Sequence, residues 1–144
     1  MSETSLSMNG IKLQDYIDTC IAAYTSVTET MAGGVAHGIM PQGEEAEFPY
    51  AIWAIESTVP QRTKDGVSTL NHELVIEVVG RDYDSIADGV SAICDALEAG
   101  VATWNAQEQK DFTINDQEWE IGQEQFDLEH DGPFRSIKVN LETY

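Results

Sequence analysis

The chain is expected to fold as an α+β domain, a mostly antiparallel sheet with two helices packed on it in the order α-β-β-β-α-β-β. Three observations predict this. Two stretches, 11–31 and 86–104, repeat apolar residues at three- and four-residue steps, the period of a helix face. Two others, 70–78 and 137–141, alternate apolar and polar residues, the period of a half-buried strand. Along the chain the order is helix, two or three strands, helix, two or three strands, which is the α+β pattern. At 144 residues the chain is one domain by length. A domain of that size removes roughly 68–70% of its unfolded surface from water, enough for a core without disulfide staples. Residues 1–9, small and polar, are expected to be a flexible N-terminus, and 10–144 a single domain.

The first helix begins after Asn9, a suitable N-cap, and places Leu13, Tyr16, Ile17, Cys20, Tyr24, Val27 and Met31 on one stripe. Gly33-Gly34 ends it, because glycine accepts the left-handed conformation of a C-cap. Val35 to Met40 reads as a short strand, and Pro41-Gln42-Gly43 as a turn before the acidic loop of Glu44, Glu45 and Glu47. Pro49 favours an extended Phe48. Tyr50 to Ser57 is a strand with Ala51, Trp53 and Ile55 on one face and Tyr50, Ile52 and Ala54 on the other, so burial is expected on both sides. Residues 58–68 are polar, too long for a two-residue turn, and read as an extended hairpin arm. Leu70, His72, Leu74, Ile76 and Val78 form the core face of the next strand.

Gly80-Arg81-Asp82 breaks that strand. Asp82, Asp84 and Ser85 are candidate caps of a second helix, with Ser85 and Asp88 imitating a capping box. Its stripe is Ile86, Val90, Ile93, Cys94, Leu97, Val101 and Trp104, and Gly100 is expected to end its regular part near Ala99. In 105–131, nine acids accompany one lysine. Phe112 and Ile114 suggest a short strand. The alternation Trp119, Ile121 then changes phase to Phe126, Leu128, which requires a bulge or break near Gly122. Asp131-Gly132 signals a turn into the closing strand of Ile137, Val139 and Leu141.

The charge excludes more than it proves. Seven Lys and Arg against 26 Asp and Glu give a formal charge of -19, which repels nucleic-acid phosphates and anionic lipid. Direct DNA binding would need clustered cations, and Lys12, Arg62, Lys64, Arg81, Lys110, Arg135 and Lys138 are dispersed. Two readings survive, a solvated surface for a concentrated assembly protein or a surface that resembles DNA or lets DNA slide past. The N-terminus lacks the basic start and apolar core of a signal peptide, and no apolar run reaches transmembrane length. A soluble protein made in a cytoplasm is expected. Cys20 and Cys94 lie on apolar helix faces and read as reduced core thiols.

No catalytic constellation emerges, and no enzyme, cofactor or metal is expected. His37, His72 and His130 show neither metal nor triad spacing, and His72, on an apolar strand face, reads as a satisfied core histidine. Asp127-x-Glu129-x-Asp131-Gly132 has the opening rhythm of a calcium loop, but the position that needs the closing carboxylate is Lys138. Gly33-Gly34 lacks phosphate-loop spacing, and no Ser or Cys has a nucleophile-elbow context.

Taken together, the Phe48-Pro49-Tyr50 strand start, the Thr63-Lys64 arm, the His72–Val79 strand and the Asp84–Leu97 helix resemble the tail-terminator, or tail-completion, family of long-tailed bacteriophages. The first helix, the Met40-Pro41-Gln42-Gly43 turn and the Asp131-Gly132 hairpin into Ile137–Leu141 fit the same pattern, whereas the acidic residues of 105–125 have no counterpart in it. The resemblance implies a structural protein that forms a hexameric ring with copies of itself. Such a ring caps the tail tube at the length set by the tape-measure protein, meets the neck or head-completion protein with its other face, and lets DNA through its lumen without specific binding. It implies residence in the virion, at the head-proximal end of the tail, after assembly in the host cytoplasm, and no membrane partner. A ring needs heterologous contacts. Candidate interface residues are Arg62, Thr63 and Lys64 on the arm, and Tyr50 and Trp53 on the two-sided strand. The alternatives are another head–tail joining or neck protein of the virion, an acidic DNA-mimic inhibitor, or a small enzyme or ligand-binding domain whose pocket is shared between subunits.

Overall fold

The computed structural model describes residues 13–38, 47–63, 66–108, 110, 112–127 and 132–144. Asn9, the 40–43 turn, Glu44 and Glu45, Lys64, Leu128, His130 and Asp131 lie outside the described residues. The fold is α+β. In chain order its elements are α1 (Gln14–Ala23), α2 (Ser26–Thr30), β1 (Val35–His37), β2 (Tyr50–Thr63), β3 (Gly66–Val79), α3 (Tyr83–Asn105), β4 (Ile114–Ile121), β5 (Gln125–Asp127) and β6 (Gly132–Thr143). The sheet order is β1-β2-β3-β6-β4, with β5 also on β6. Among the described residues only β1 and β2 pair in parallel; the other pairs are antiparallel.

The helices cover one face of this sheet. The predicted stripe of the first helix is buried at Leu13, Tyr16, Ile17, Cys20, Val27 and Met31. The single helix expected there is two, however. Tyr24 leaves the helix in an extended conformation (φ -134, ψ 93), and α2 starts afresh after Thr25. The segment that follows Tyr24, Thr25 to Thr30, is rich in Ser and Thr, whose hydroxyls compete for backbone groups; Thr28 donates to the Thr25 carbonyl. Gly34 takes the left-handed conformation (φ 80) that ends the segment.

α3 starts at Asp82, whose carboxylate accepts from the Ser85 N–H and the Ser85 hydroxyl, both at 2.7 Å. These bonds hold its carboxyl below the usual carboxylate range. The cap is thus Asp82 with Ser85, not the Ser85–Asp88 pair. α3 also continues through Gly100 to Asn105 instead of stopping near Ala99. Gly100 is buried against Cys20 of α1, so packing outweighs its poor helix propensity. The end of α3 is tied to β4: the Asn105 side chain donates to the Ile114 carbonyl (2.8 Å) and accepts from the Ile114 N–H (2.9 Å). Trp104, its ring tilted 30° against that of Phe112, donates to the Phe112 carbonyl at 2.9 Å. Cys20 and Cys94 are free and buried, and desolvation pushes each thiol up to about 11. Both are expected to resist a thiol reagent at pH 8 under native conditions and to react fully in denaturant; rapid native labelling of either would contradict the packing.

In the strands the even positions of β3 are buried from Leu70 to Val78, as its alternation predicts, and Ile137, Val139 and Leu141 of β6 face them. The predicted phase change after Ile121 is present. Ile121 pairs with Ile137, but Gln125 pairs with Phe134, a register slip of one residue across the break at 122–124. Its consequence differs from expectation, because Ile121 and Phe126 are exposed (37% and 61%). β5 joins the outer end of β6 and makes its main contact there. The Phe48–Pro49 peptide is cis.

His72 is a satisfied core histidine, 1% exposed, with Nδ1 2.9 Å from the Thr58 hydroxyl and Nε2 3.1 Å from that of Thr143. Burial lowers its pKa to about 4. The unfolded chain, with an ordinary histidine near 6.5, therefore takes up a proton that the folded chain refuses between these values. The stability contributed by the neutral ring is complete above pH 6.5 and is lost as pH falls toward 4. Relative to a His72→Gln variant, the wild type is expected to lose on the order of 2 kcal/mol between pH 7 and pH 4.5 in urea denaturation. Parallel pH dependences of the two chains would refute the assignment.

Candidate assembly surface

The sheet face opposite the helices is uncovered by any described helix. Alternation places Ile52 and Ala54 of β2, Glu73, Val75 and Glu77 of β3, Lys138 and Asn140 of β6, and Glu118 and Glu120 of β4 on it. The face is divided chemically. Toward β2 it is apolar, with a shallow depression of about 200 Å³ floored by Ile52, Ala54 and Val75 and rimmed by Glu56 and Glu77. Nearer the arm it is acidic, where a depression of about 360 Å³ runs from Ser57 and Val59 of β2 across to β4 and has Glu73, Asp116, Glu118 and Glu142 on its walls. Glu56 follows Ile52 and Ala54 by the same alternation, and the register shift between Ile55 and Ser57, one extra residue in β2, then brings Ser57 to this face as well.

The hairpin arm is the second feature. The expected extended hairpin arm is present, as a ladder that pairs to its end: Thr58 faces His72, Arg62 faces Val67 and Thr63 faces Gly66. β-branched Thr58, Val59, Thr63, Val67 and Thr69 suit an extended backbone, and Pro60 is tolerated because this part of β2 has no outer partner among the described residues. β6 leaves β3 at Leu70, so the four residues from there to Gly66 carry the arm roughly 13 Å beyond the sheet.

The five residues named from sequence are not brought together. Arg62 and Thr63 are at the far end of the arm, and Lys64 follows them in sequence, outside the described residues. Tyr50 and Trp53 are each 1% exposed within this chain. Trp53 faces the helices beside Ile17, Cys20 and Leu97, and the exposed His37 stacks on its ring at 3.8 Å. Tyr50 lies next to Phe48, over which the Arg81 guanidinium sits at 4.8 Å from the ring centre. The Tyr50 hydroxyl is buried without a partner among the described residues, and desolvation raises its pKa. Sequence reading missed the two-part open face. Its signal was present in Glu73, Glu77, Glu118 and Glu120, which alternate against buried partners, but recognising one shared face needs the β3–β6–β4 register.

Among the described residues no group of His, Cys, Asp and Glu is arranged to hold a metal ion. No described helix is long and apolar enough to cross a membrane. A wider depression of about 760 Å³ between α1 and the segment after α3 carries Asp15, Asp18, Glu108 and Lys110, with no nucleophile–base pair.

No protein-family model matches the chain. No curated protein matches it either. Its fold is similar to that of a chain in a solved structure described as the virion of a native gene transfer agent (GTA) particle. The TM-score is 0.66 at 17% sequence identity, over 91% of this chain and 92% of that one. Most of the α+β domain is therefore an architecture shared with a chain of that particle.

Proposed function

We propose that this chain is a structural protein of a phage-like virion and works as a tail terminator, forming a hexameric ring that caps the tail tube and meets the neck. The observation that carries the reading is the fold likeness to a virion chain over nine-tenths of both lengths. The order of elements supports it, as does the arm that leaves the sheet. In a ring, the acidic half of the open face at the lumen would repel passing DNA. On this reading the chain is no enzyme, its partners are further copies of itself, the tube protein and a neck protein, and it sits at the head-proximal end of the tail.

Solution mass combined with negative-stain imaging, alone and with tail tubes, tests the reading. A ring with a central hole, or a ring at one end of the tubes, is the expected outcome. A chain that stays monomeric and never decorates a tube end sinks it. Inhibition of a DNA-binding enzyme by the monomer would favour the DNA-mimic alternative, and a ring that binds a head portal but no tube would favour a neck protein.

A further inference from the structure

We infer that the apolar depression on the open sheet face receives the arm of a second copy of this chain. The inference rests on the ring reading and adds the receiving site, which that reading leaves open. The depression has an apolar floor of Ile52, Ala54 and Val75 with carboxylates of Glu56 and Glu77 at its rim. That chemistry matches a long cationic side chain, whose methylenes cover apolar surface while the head meets a carboxylate. Cations are scarce here, seven against 26 acids. Arg81 lies over Phe48, Lys110 donates to the Gln107 carbonyl and Arg135 to the Gly122 carbonyl, while Lys138 stands on the open face across from Val75 and Lys12 lies outside the described residues. The arm, in contrast, holds Arg62 and Lys64 within three residues, against the single acid Asp65 in 59–68.

The contact must be between copies. Ala54 and Arg62 lie on one extended strand, eight residues apart, a separation of roughly 25 Å that no bend in the ladder closes. Arm and depression are different patches of the same surface, so their pairing is heterologous and propagates around a ring. The arm projects far enough past the sheet to cross onto a neighbour.

A charge exchange tests the pairing, with sedimentation as the readout and circular dichroism as the check on folding. Glu56 is exposed, and Glu56→Lys is expected to raise the concentration needed for assembly roughly tenfold. The arm variant R62E/K64E is expected to do the same, and the triple variant to return assembly to within about threefold of wild type. A wild-type ring that persists unchanged in Glu56→Lys overturns the docking site while leaving the ring itself intact. Loss in both variants without rescue in the triple overturns the arm as occupant and points to a tube or neck protein on the depression. A wild type that forms no ring, alone or on tubes, removes the ring reading and this inference with it.

Discussion

Trp53→Ala is expected to cost about 3–5 kcal/mol, the range for emptying an aromatic site in a packed core. Trp53 is 1% exposed and stands where β2 meets the helical layer, beside Ile17 and Cys20 of α1, Val27 of α2, and Ile93 and Leu97 of α3. No single neighbour fills the space its indole leaves, because those side chains come from three helices that would each have to move. His37 stacks on the outer side of the ring at 3.8 Å and 4° and would lose that platform as well. Against typical domain stabilities near 5–15 kcal/mol that is a large share of the total, and the variant is expected to unfold at a clearly lower urea concentration. Urea denaturation followed by far-ultraviolet circular dichroism measures the loss. Trp53→Phe, which keeps most of the buried area, should recover more than half of it. A loss below about 1 kcal/mol for the alanine variant would mean that the residue is not in the core.

Periodicity made most of this fold legible, and its failures have local causes. The alternation of β3 and β6 and the stripe of α3 each report burial on one side, which sequence records directly. The break at Tyr24 was hidden because Val27 and Met31 return to the same core after it, so the stripe stays intact while the backbone does not. The arm was legible as a hairpin arm from its length and polarity, but the extent of its pairing was not, because a hairpin without a helix over it has no apolar face to display. Ile121 and Phe126 show the reverse, since apolar alternation in β4 and β5 continues past the region that the core covers. For the assembly surface, Arg62, Thr63 and Lys64 were visible as cations and threonine on an arm. The depression at Ile52, Ala54 and Val75 was not, because it depends on strand neighbours that only the register defines. Tyr50 and Trp53 illustrate a related limit: an apolar strand with residues on both faces is compatible with burial inside one chain or between two, and in this chain both side chains are already enclosed.

Gly100→Ala separates helix propensity from packing by the sign of its effect. In a solvated helix the change is expected to stabilise, by about 0.8–1.0 kcal/mol. Here a Cβ on Gly100 would stand 2.1 Å from Cys20 Sγ, 2.9 Å from its Cβ and 3.1 Å from its Cα. Rotating the thiol relieves only the first of these contacts; the other two involve atoms that move only if α1 moves. α1 is in turn fixed by the buried Tyr16, whose ring meets Trp104 edge-on at 5.8 Å and whose hydroxyl donates to Gln117 at 2.6 Å. Overpacking of this kind typically costs 1–3 kcal/mol or somewhat more, so the net change is expected to be a loss of roughly 2 kcal/mol despite the gain in propensity. Cys20→Ala combined with Gly100→Ala should recover part of that loss and not all of it, giving a coupling energy of at least about 0.5 kcal/mol between the two sites. Thermal and urea denaturation of the two single variants and the double variant provide the cycle. A stabilised Gly100→Ala protein would mean that the two helices are not in backbone contact, and that α3 runs past Gly100 for some reason other than its fit against Cys20.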